Sequence, residues 1–269
     1  MNIPNSNDKK SIEWLGVFSL LIFVFMYLPI LVLSFYSFNK SPYSATWQGF
    51  TWEWYQKLFN DDRILSALNN SLFVAFSAVT VAAVLGTLMA VGLARYEFPG
   101  KKLYRGISYL PLLIPDIAIA VATLVCLAAF AIPLSIWTII AAHIVFCLSY
   151  IALVVSARLS NLDPHLEEAA LDLGATPIQA FIKVVLPQLM PGIVSGCLLA
   201  FVLSLDDFLI SSFTAGSGSS TLPMEIFSRI RTGVKPDINA LSVMLISVTA
   251  TVAVIAELIR ISGDKQNNL

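Results

Sequence analysis

Long apolar runs separated by short polar stretches dominate the chain. An α-helix needs about 20 predominantly apolar residues to cross a bilayer. Six runs of this kind occur, at 14–38, 69–94, 106–130, 136–157, 188–211 and 240–260. The pattern predicts an all-α membrane protein with six spans in a single transmembrane domain over residues 1–269. The first run is longer than the apolar region of a signal peptide, so we expect it to be a retained anchor.

The composition agrees with the membrane class. Apolar residues make up 57% of the chain and charged residues 12%, whereas soluble domains are about 45–50% apolar and about 25% charged. The net charge of −1 offers no basic surface for nucleic acid. The three cysteines lie in apolar runs without metal-ligand spacing, so the sequence predicts neither a disulfide framework nor a metal site.

Lysine and arginine are unevenly distributed among the loops. They concentrate before the first span and after the second, at Lys9, Lys10, Arg95, Lys101, Lys102 and Arg105. Because cytoplasmic loops carry an excess of Lys and Arg, both termini and the loops after spans two and four are predicted to be cytoplasmic. We interpret Trp47, Trp52 and Trp54, in the loop after span one, as an interfacial aromatic belt with a short amphipathic helix. A role in handling substrate is the alternative.

The cytoplasmic loop 158–187 has the local pattern of two short helices. Asp163 and Thr176 are good N-caps, and each precedes a proline, the residue favoured at the first helical position. Gly174 is predicted to end the first helix and Pro187 the second. Two surfaces suit such a hairpin, lipid headgroups or a partner protein. Its acidic character and near lack of Lys and Arg favour the partner protein.

The stretch EAALDLGATPIQAFIKVVLP (168–187) resembles the EAA motif of bacterial ABC-importer permeases. Valine stands at the first position of the final Ile-x-Leu-Pro element, and the matching positions are Glu168, Ala169, Ala170, Gly174, Val184, Leu186 and Pro187. The resemblance implies the type I importer permease fold, with this loop acting as a coupling helix that docks into the ATP-hydrolysing subunit. It also implies a polar contact by Glu168 and close packing by the two alanines, with the turn formed by Gly174.

Four other stretches, WQGFTWEWY, IPDIAIA, LSLDDFLISSF and GVKPDINAL, resemble the C-type permease subunit of spermidine/putrescine importers. This resemblance implies a bacterial inner-membrane protein that works with a second homologous permease, two copies of an ATPase and an extracytoplasmic binding protein. The chain has no GxxxxGK[ST] sequence. We therefore expect ATP and Mg²⁺ to bind to the partner ATPase, with no cofactor and no catalytic residue in this chain.

The charged residues inside the predicted spans are almost all acidic: Asp116, Asp206, Asp207 and Glu257, with Arg260 as the basic exception. Charges in spans are costly, and they commonly line a pathway or pair with one another. Glu257 and Arg260 have the spacing of a helical ion pair. The three aspartates are therefore the predicted substrate-pathway residues.

Asp116 lies near the middle of the third run and follows Pro111 and Pro115. Prolines bend helices, and a broken helix with a carboxylate at the break is a common cation site in transporters. A carboxyl group that serves only helix packing is the alternative.

Asp206 and Asp207 lie near the outer end of the fifth run, where we expect an extracytoplasmic vestibule. Adjacent helical residues diverge by about 100°, so at most one should point into a pathway while the other caps, pairs or orients it. A solvated helix end is the alternative.

Together, the acids and the resemblance predict a permease subunit of an ATP-driven polyamine importer. Another small cationic or amino-acid-like solute is the alternative cargo. A self-contained secondary transporter would show two pseudo-symmetric halves, and a membrane enzyme would show a catalytic motif; the sequence has neither. His143 is interpreted as a hydrogen-bonded structural residue, with proton coupling as the alternative.

Overall fold

The computed structural model describes residues 6–41, 46–163, 165–231, 233 and 235–266, with side chains between residues 14 and 251. Helices are the regular elements in this part of the chain, which confirms the all-α class. They are α1 (Ser6–Tyr36), α2 (Glu53–Phe59), α3 (Asp62–Arg95), α4 (Lys101–Ser108), α5 (Asp116–Ala129), α6 (Ile136–Ser160), α7 (His165–Asp172), α8 (Pro177–Ala180), α9 (Leu186–Asp206), α10 (Leu209–Thr214), α11 (Leu222–Arg231) and α12 (Pro236–Gln266). The chain divides into two compact units, Met1–Asp61 with Ser228–Leu269, and Asp62–Phe227.

In the first unit, α12 packs against α1 and α2. The loop between α1 and α2 is organised by the buried Asn39, whose side-chain amide donates to the Thr46 carbonyl over 2.7 Å and accepts from the Gln48 amide over 2.9 Å. The indole of Trp54 donates to the Asn39 carbonyl over 2.8 Å. The short helix predicted for this loop is α2. Arg229 pairs with Asp61 at 2.7 Å, which ties the two chain segments of the unit together.

In the second unit, α3, α6 and α9 form the core. Two glycines allow the close approach of α3 and α9 to the fully buried Ile151 of α6. A Cβ atom at Gly86 would lie 3.0 Å from the Leu148 carbonyl oxygen, and one at Gly196 would lie 3.3 Å from the Ile151 Cα atom. Small residues commonly mediate such close crossings between transmembrane helices.

Four helices in the described part of the chain are long and apolar enough to cross a membrane, namely Trp14–Tyr36, Asp62–Arg95, Ile136–Ser160 and Pro177–Asp206. A fifth candidate is a pair of helical segments, Lys101–Leu112 and Asp116–Ala129, bent by 110°. The sixth predicted run, 240–260, falls in α12, and Glu257 and Arg260 lie outside the residues with described side chains. The count of six spans stays a prediction.

The structure corrects the predicted end of the second loop helix at Pro187. The chain stays helical from Pro177 to Asp206, through α8, a π-helical turn at Phe181–Val185, and α9. A proline ring clashes with the carbonyl four residues earlier, which here belongs to Lys183 in the π-helical turn. The wider π turn displaces that carbonyl, so the helix continues past the proline.

Candidate functional site

A cavity of about 260 Å³ in the second unit brings the three predicted pathway acids together. It lies beside two helix breaks, one before α5 and one between α9 and α10. Its lining residues are Pro111, Asp116, Phe146, Tyr150, Leu203, Asp206, Asp207, Phe208, Leu209 and Ile210.

Asp116 is the first residue of α5 and directly follows the predicted break. After α4, the chain forms a 3₁₀ turn at Leu110–Leu112 and becomes extended at Pro115, which has φ −57° and ψ 137°. Proline lacks an N–H group, so it favours the start of a helix over its interior. The prediction of a broken helix with a carboxylate at the break is confirmed.

The Asp116 and Asp206 carboxylates are exposed at the cavity. Among the described residues, neither side chain has a hydrogen-bond or ion-pair partner. A carboxylate without a partner in a protein wall is available to a cation that enters the cavity.

Asp207 lies in the break between α9 and α10, where the backbone is extended at φ −67° and ψ 121°. Its Oδ1 atom accepts from the Ile210 amide over 3.1 Å, and its Oδ2 atom accepts from the Ser211 amide over 2.7 Å. The Ser211 hydroxyl donates to Oδ2 over 2.9 Å. Asp207 therefore caps α10, which is one of the roles predicted for the second acid.

Asp206 and Asp207 both line the cavity, and the expectation that at most one of them points into a pathway stays a prediction. That expectation assumed one continuous helix through residue 211. The helix ends at Asp206, and the extended backbone at Asp207 removes the 100° divergence of neighbouring helical side chains.

His143 is fully buried in α6, and each ring nitrogen contacts a serine hydroxyl. Nδ1 lies 2.7 Å from the Ser204 Oγ atom, and Nε2 lies 3.1 Å from the Ser211 Oγ atom. Nε2 also lies 3.3 Å from the Asp207 Oδ2 atom. The interpretation of His143 as a hydrogen-bonded residue is confirmed. Its contact with Asp207 had no sequence signal, because the two residues are far apart in the chain.

Sequence reasoning did not single out the aromatic residues of the cavity wall. Phe146 and Tyr150 follow each other on α6, with ring centroids 6.4 Å apart. Phe208 contacts Phe227 with centroids 4.3 Å apart. The spacing of His143, Phe146 and Tyr150 on one face of span four is the signal that could have identified this wall.

The loop 158–187, called the loop before α9 below, has the predicted local geometry at both helix starts and at the turn. The Asp163 carboxylate accepts from the His165 amide over 3.0 Å, whereas Pro164 lies outside the described residues. Thr176 accepts from the Gln179 amide in a capping box. At Gly174, φ is +85°, and its amide and the next one donate back to the Leu171 and Ala170 carbonyls. This pair of bonds is a Schellman motif, which ends α7.

Two groups in this loop have shifted pKa values. Hydrogen bonds from the amide and ring of His165 hold the pKa of Asp163 below its usual value. The Asp163 carboxylate in turn raises the pKa of His165. Because both side chains are exposed, the pair contributes little to stability.

The EAA-motif residues occupy two places in the loop. Glu168 and Ala169 are exposed on α7 and Gly174 is exposed just beyond it, with Ala170 half-buried. Leu186 and Pro187 lie in the first turn of α9. The exposed surface around the turn is apolar, since Leu173 is 89% and Ile178 71% accessible.

Arg95 holds α7 against the end of α3. Its guanidinium lies 2.5 Å from the Glu167 carboxylate and 5.5 Å from the centroid of the Phe181 ring. Both contacts position the loop on the helical core, and they leave Glu168 exposed.

Comparisons with known proteins agree with this architecture. Residues 82–261 match the family described as binding-protein-dependent transport system inner membrane component. The chain is 40% identical over 244 residues to the spermidine/putrescine transport system permease protein PotC of Haemophilus influenzae, covering 91% of this chain and 95% of PotC. It is 43% identical over 261 residues to the putrescine transport system permease protein PotI of Escherichia coli K12, covering 94% and 92%. It is also 31% identical over 226 residues to the trehalose transport system permease protein SugB of Mycobacterium tuberculosis, covering 81% of each chain.

Solved structures share the fold at low sequence identity. A chain of a bacterial ABC transporter involved in the import of the acidic polysaccharide alginate superposes with a TM-score of 0.74 at 14% identity, covering 96% of this chain and 99% of that one. A chain of an amino acid ABC transporter superposes with a TM-score of 0.59 at 19% identity, covering 78% and 98%. The fold is thus that of ABC-importer permeases, and with the match over residues 82–261 the chain belongs to the family of inner membrane components of binding-protein-dependent transport systems.

Proposed function

We propose that this chain is a permease subunit of an ATP-driven polyamine importer and that its acidic cavity forms part of the translocation pathway. The observation that carries the proposal is the pair of carboxylates without partners, Asp116 and Asp206, on the wall of one cavity. The names of the relatives PotC and PotI support the same cargo class, putrescine and spermidine.

The charge of the cavity favours a cation. Three carboxyl groups line it, and no lysine or arginine is among its lining residues. Polyamines carry several ammonium groups separated by methylene chains. Carboxylates can pair with the ammonium groups, while the faces of Phe146 and Tyr150 can offer cation–π contacts. Asp207, whose oxygens accept three hydrogen bonds from Ile210 and Ser211 and lie 3.3 Å from the His143 ring, supplies a fixed part of the negative wall.

The fold alone does not select this cargo. Relatives with the same fold belong to transporters of an acidic polysaccharide, of trehalose and of amino acids, according to their descriptions. Function therefore depends on the side chains of the site. Another small cationic or amino-acid-like solute is the alternative cargo, and it would use the same carboxylates.

The loop before α9 suits docking onto a separate ATPase. It presents Glu168 and Ala169 together with the apolar side chains of Leu173 and Ile178, while Arg95 holds α7 from behind. We propose that Glu168, Ala169, Ala170 and Gly174 contact the ATPase, and that Leu186 and Pro187 transmit the movement into α9. ATP and Mg²⁺ would bind to the ATPase.

The proposed assembly contains a second homologous permease, two ATPase copies and an extracytoplasmic binding protein, in a bacterial inner membrane with both termini cytoplasmic. The family description refers to binding proteins and an inner membrane, and so supports the binding protein and the location in this arrangement.

Uptake by the reconstituted assembly tests the proposal. We expect ATP-dependent uptake of radiolabelled putrescine or spermidine. Unlabelled polyamines should compete with this uptake, whereas an amino acid and sulfate should not compete with it. Omission of the ATPase should abolish uptake. Equal competition by the amino acid would favour the alternative cargo, and uptake by this chain alone would indicate a secondary transporter.

A further inference from the structure

His143 lies directly behind the wall of the acidic cavity. It is fully buried and does not line the cavity itself. Its ring joins three helices, because Ser204 belongs to α9 and Ser211 to α10, while His143 itself is in α6. The carboxylate that it reaches, Asp207, has a side chain 10% exposed.

The hydrogen-bond geometry assigns a proton to Nε2 of His143. The amide and hydroxyl of Ser211 both donate to Asp207 Oδ2, at 2.7 and 2.9 Å. The Ser211 oxygen is therefore left to accept from Nε2. The same Nε2 atom lies 3.3 Å from Oδ2, so its proton also faces the carboxylate. Nδ1 then accepts from the Ser204 hydroxyl in the neutral ring.

The composition of this cluster is that of a hydrolase triad, but the cluster is closed to substrate. Ser204 is 4% exposed and is not among the cavity-lining residues. A nucleophile must reach the bond that it attacks. The cluster can therefore hold a neighbouring group in place but cannot react with cargo.

We propose that His143 is a positioning residue that holds Asp207 as a fixed, ionised carboxylate on the cavity wall. Several carboxyl groups that share a site favour protonation of one of them, and hydrogen bonds to the charged form oppose it. The titratable groups around Asp207, besides His143, are Asp116, Asp206 and Tyr150 on the cavity wall and the buried Cys147. With a proton on His143 Nε2, the Asp207 carboxylate keeps its negative charge on the cavity wall before cargo binds.

A matched pair of variants tests this role in the purified assembly. His143→Leu removes the donor, whereas His143→Gln retains an amide that can donate near the Nε2 position. Infrared spectroscopy detects the carbonyl stretch of a protonated carboxyl group. We expect this band to emerge at a higher pH in His143→Leu than in the wild type or in His143→Gln, and we expect the double variant His143→Leu/Asp207→Asn to lack the additional band.

The same variants give an uptake readout, which rests on the proposed function. His143→Leu should raise the half-maximal polyamine concentration about tenfold relative to the wild type, with a larger effect at lower than at higher pH, and His143→Gln should restore it. A pH-independent loss shared by both variants would indicate a merely structural histidine and overturn the proposal. Absence of the infrared band from His143→Leu would also overturn it, while leaving polyamine uptake by the wild type intact.

The position of the proton on His143 can also be measured in the wild type, so this test does not depend on the folding of a variant. ¹⁵N NMR of histidine-labelled protein should show a protonated Nε2 for the buried ring, and an unprotonated Nε2 would contradict the assignment. If the spectroscopic results hold while the wild type takes up no polyamine, the proposed cargo is wrong and the positioning role stands.

Discussion

Asp116 and Asp207 line the same cavity but lie in different surroundings. Asp116 starts a helix at the cavity and has no partner among the described residues. Asp207 accepts from two amides and a hydroxyl and lies 3.3 Å from the His143 ring, so the protein itself contacts its charge. The difference arises from the surroundings of each carboxylate, since the residue type is the same.

Removal of the Asp116 charge tests its contact with cargo. Asp116→Asn should raise the half-maximal polyamine concentration about tenfold or more, the effect of one hydrogen bond to a charged group. The fold of this chain should be unchanged, because Asp116 has no hydrogen-bond or ion-pair partner among the described residues. Concentration-dependent uptake measures the effect. Asp62→Asn, at the start of α3 and outside the cavity lining, is the matched control. Unchanged uptake by Asp116→Asn would exclude the cation-site role.

The exposed pair Asp163 and His165 offers a titration in the loop. Because the carboxylate favours the protonated ring, the pKa of His165 is raised. The stabilisation from this pair is present below the unfolded-state pKa of histidine and is lost as the pH rises through the raised folded value. The chain has two histidines, so NMR of labelled histidine resolves this one. Asp163→Asn should lower its titration midpoint; an unchanged midpoint would show that the pair does not form.

At the scale of the helical elements, breaks and continuities determine the site. α5 begins after Pro115, and α9 ends at Asp206, so both breaks place carboxylates at the cavity. In contrast, the helix that starts at Pro177 passes Pro187 through a π turn and runs unbroken into the core. The loop and the cavity wall are therefore connected by one continuous helical segment, Pro177–Asp206.

Gly174 forms the turn that orients α7 relative to this continuous helical segment. Its φ of +85° costs other L-residues about 1–2 kcal/mol, and no atom lies within 4 Å of a Cβ atom placed there. We expect Gly174→Val to distort the turn, so that ATP hydrolysis continues with little uptake. Gly174→Asn, which tolerates this backbone conformation, is the matched control. The ratio of cargo transported to ATP hydrolysed measures the effect, and a normal ratio for the valine variant would refute docking through this turn.

At the scale of the whole second unit, contacts between distant segments hold the cavity wall in place. The Thr138 hydroxyl of α6 donates to the Thr214 carbonyl at the end of α10 over 2.7 Å. Just beyond, Gly216 approaches the link between α5 and α6 so closely that a Cβ atom would lie 1.9 Å from the Leu134 carbonyl oxygen. The helix that begins with the Asp207 cap is thus anchored at its far end by backbone packing.

Gly216→Ala should therefore destabilise the second unit by about 1–3 kcal/mol, the usual cost of overpacking. We expect a lower midpoint of thermal unfolding for the purified assembly and reduced uptake. Gly218→Asn is the control in the same loop, because nothing lies within 4 Å of its Cβ position and asparagine tolerates its φ of +76°. Equal unfolding midpoints for the two variants would show that the loop can move to accommodate the alanine without a loss of stability.

Local signals in the sequence predicted most of the long helices and the break before Asp116, but not the break at Asp207 or the continuation past Pro187. Apolar length predicts the long helices, and the prolines before Asp116 predict the break. The N-caps and Gly174 predict the geometry of the loop before α9, because capping depends on a few neighbouring residues. The acidic composition of the predicted spans indicates the cationic class of cargo in the same way.

Only the tertiary structure decided which of these groups meet. Asp116 and Asp206 lie on one wall because α10 packs on α5, and His143 reaches Asp207 because α6 packs on α9 and α10. The continuation of the helix past Pro187 likewise depends on a π-helical turn that the local sequence does not predict. Such pairings depend on packing between residues far apart in the chain, and a one-dimensional pattern contains no information on those distances.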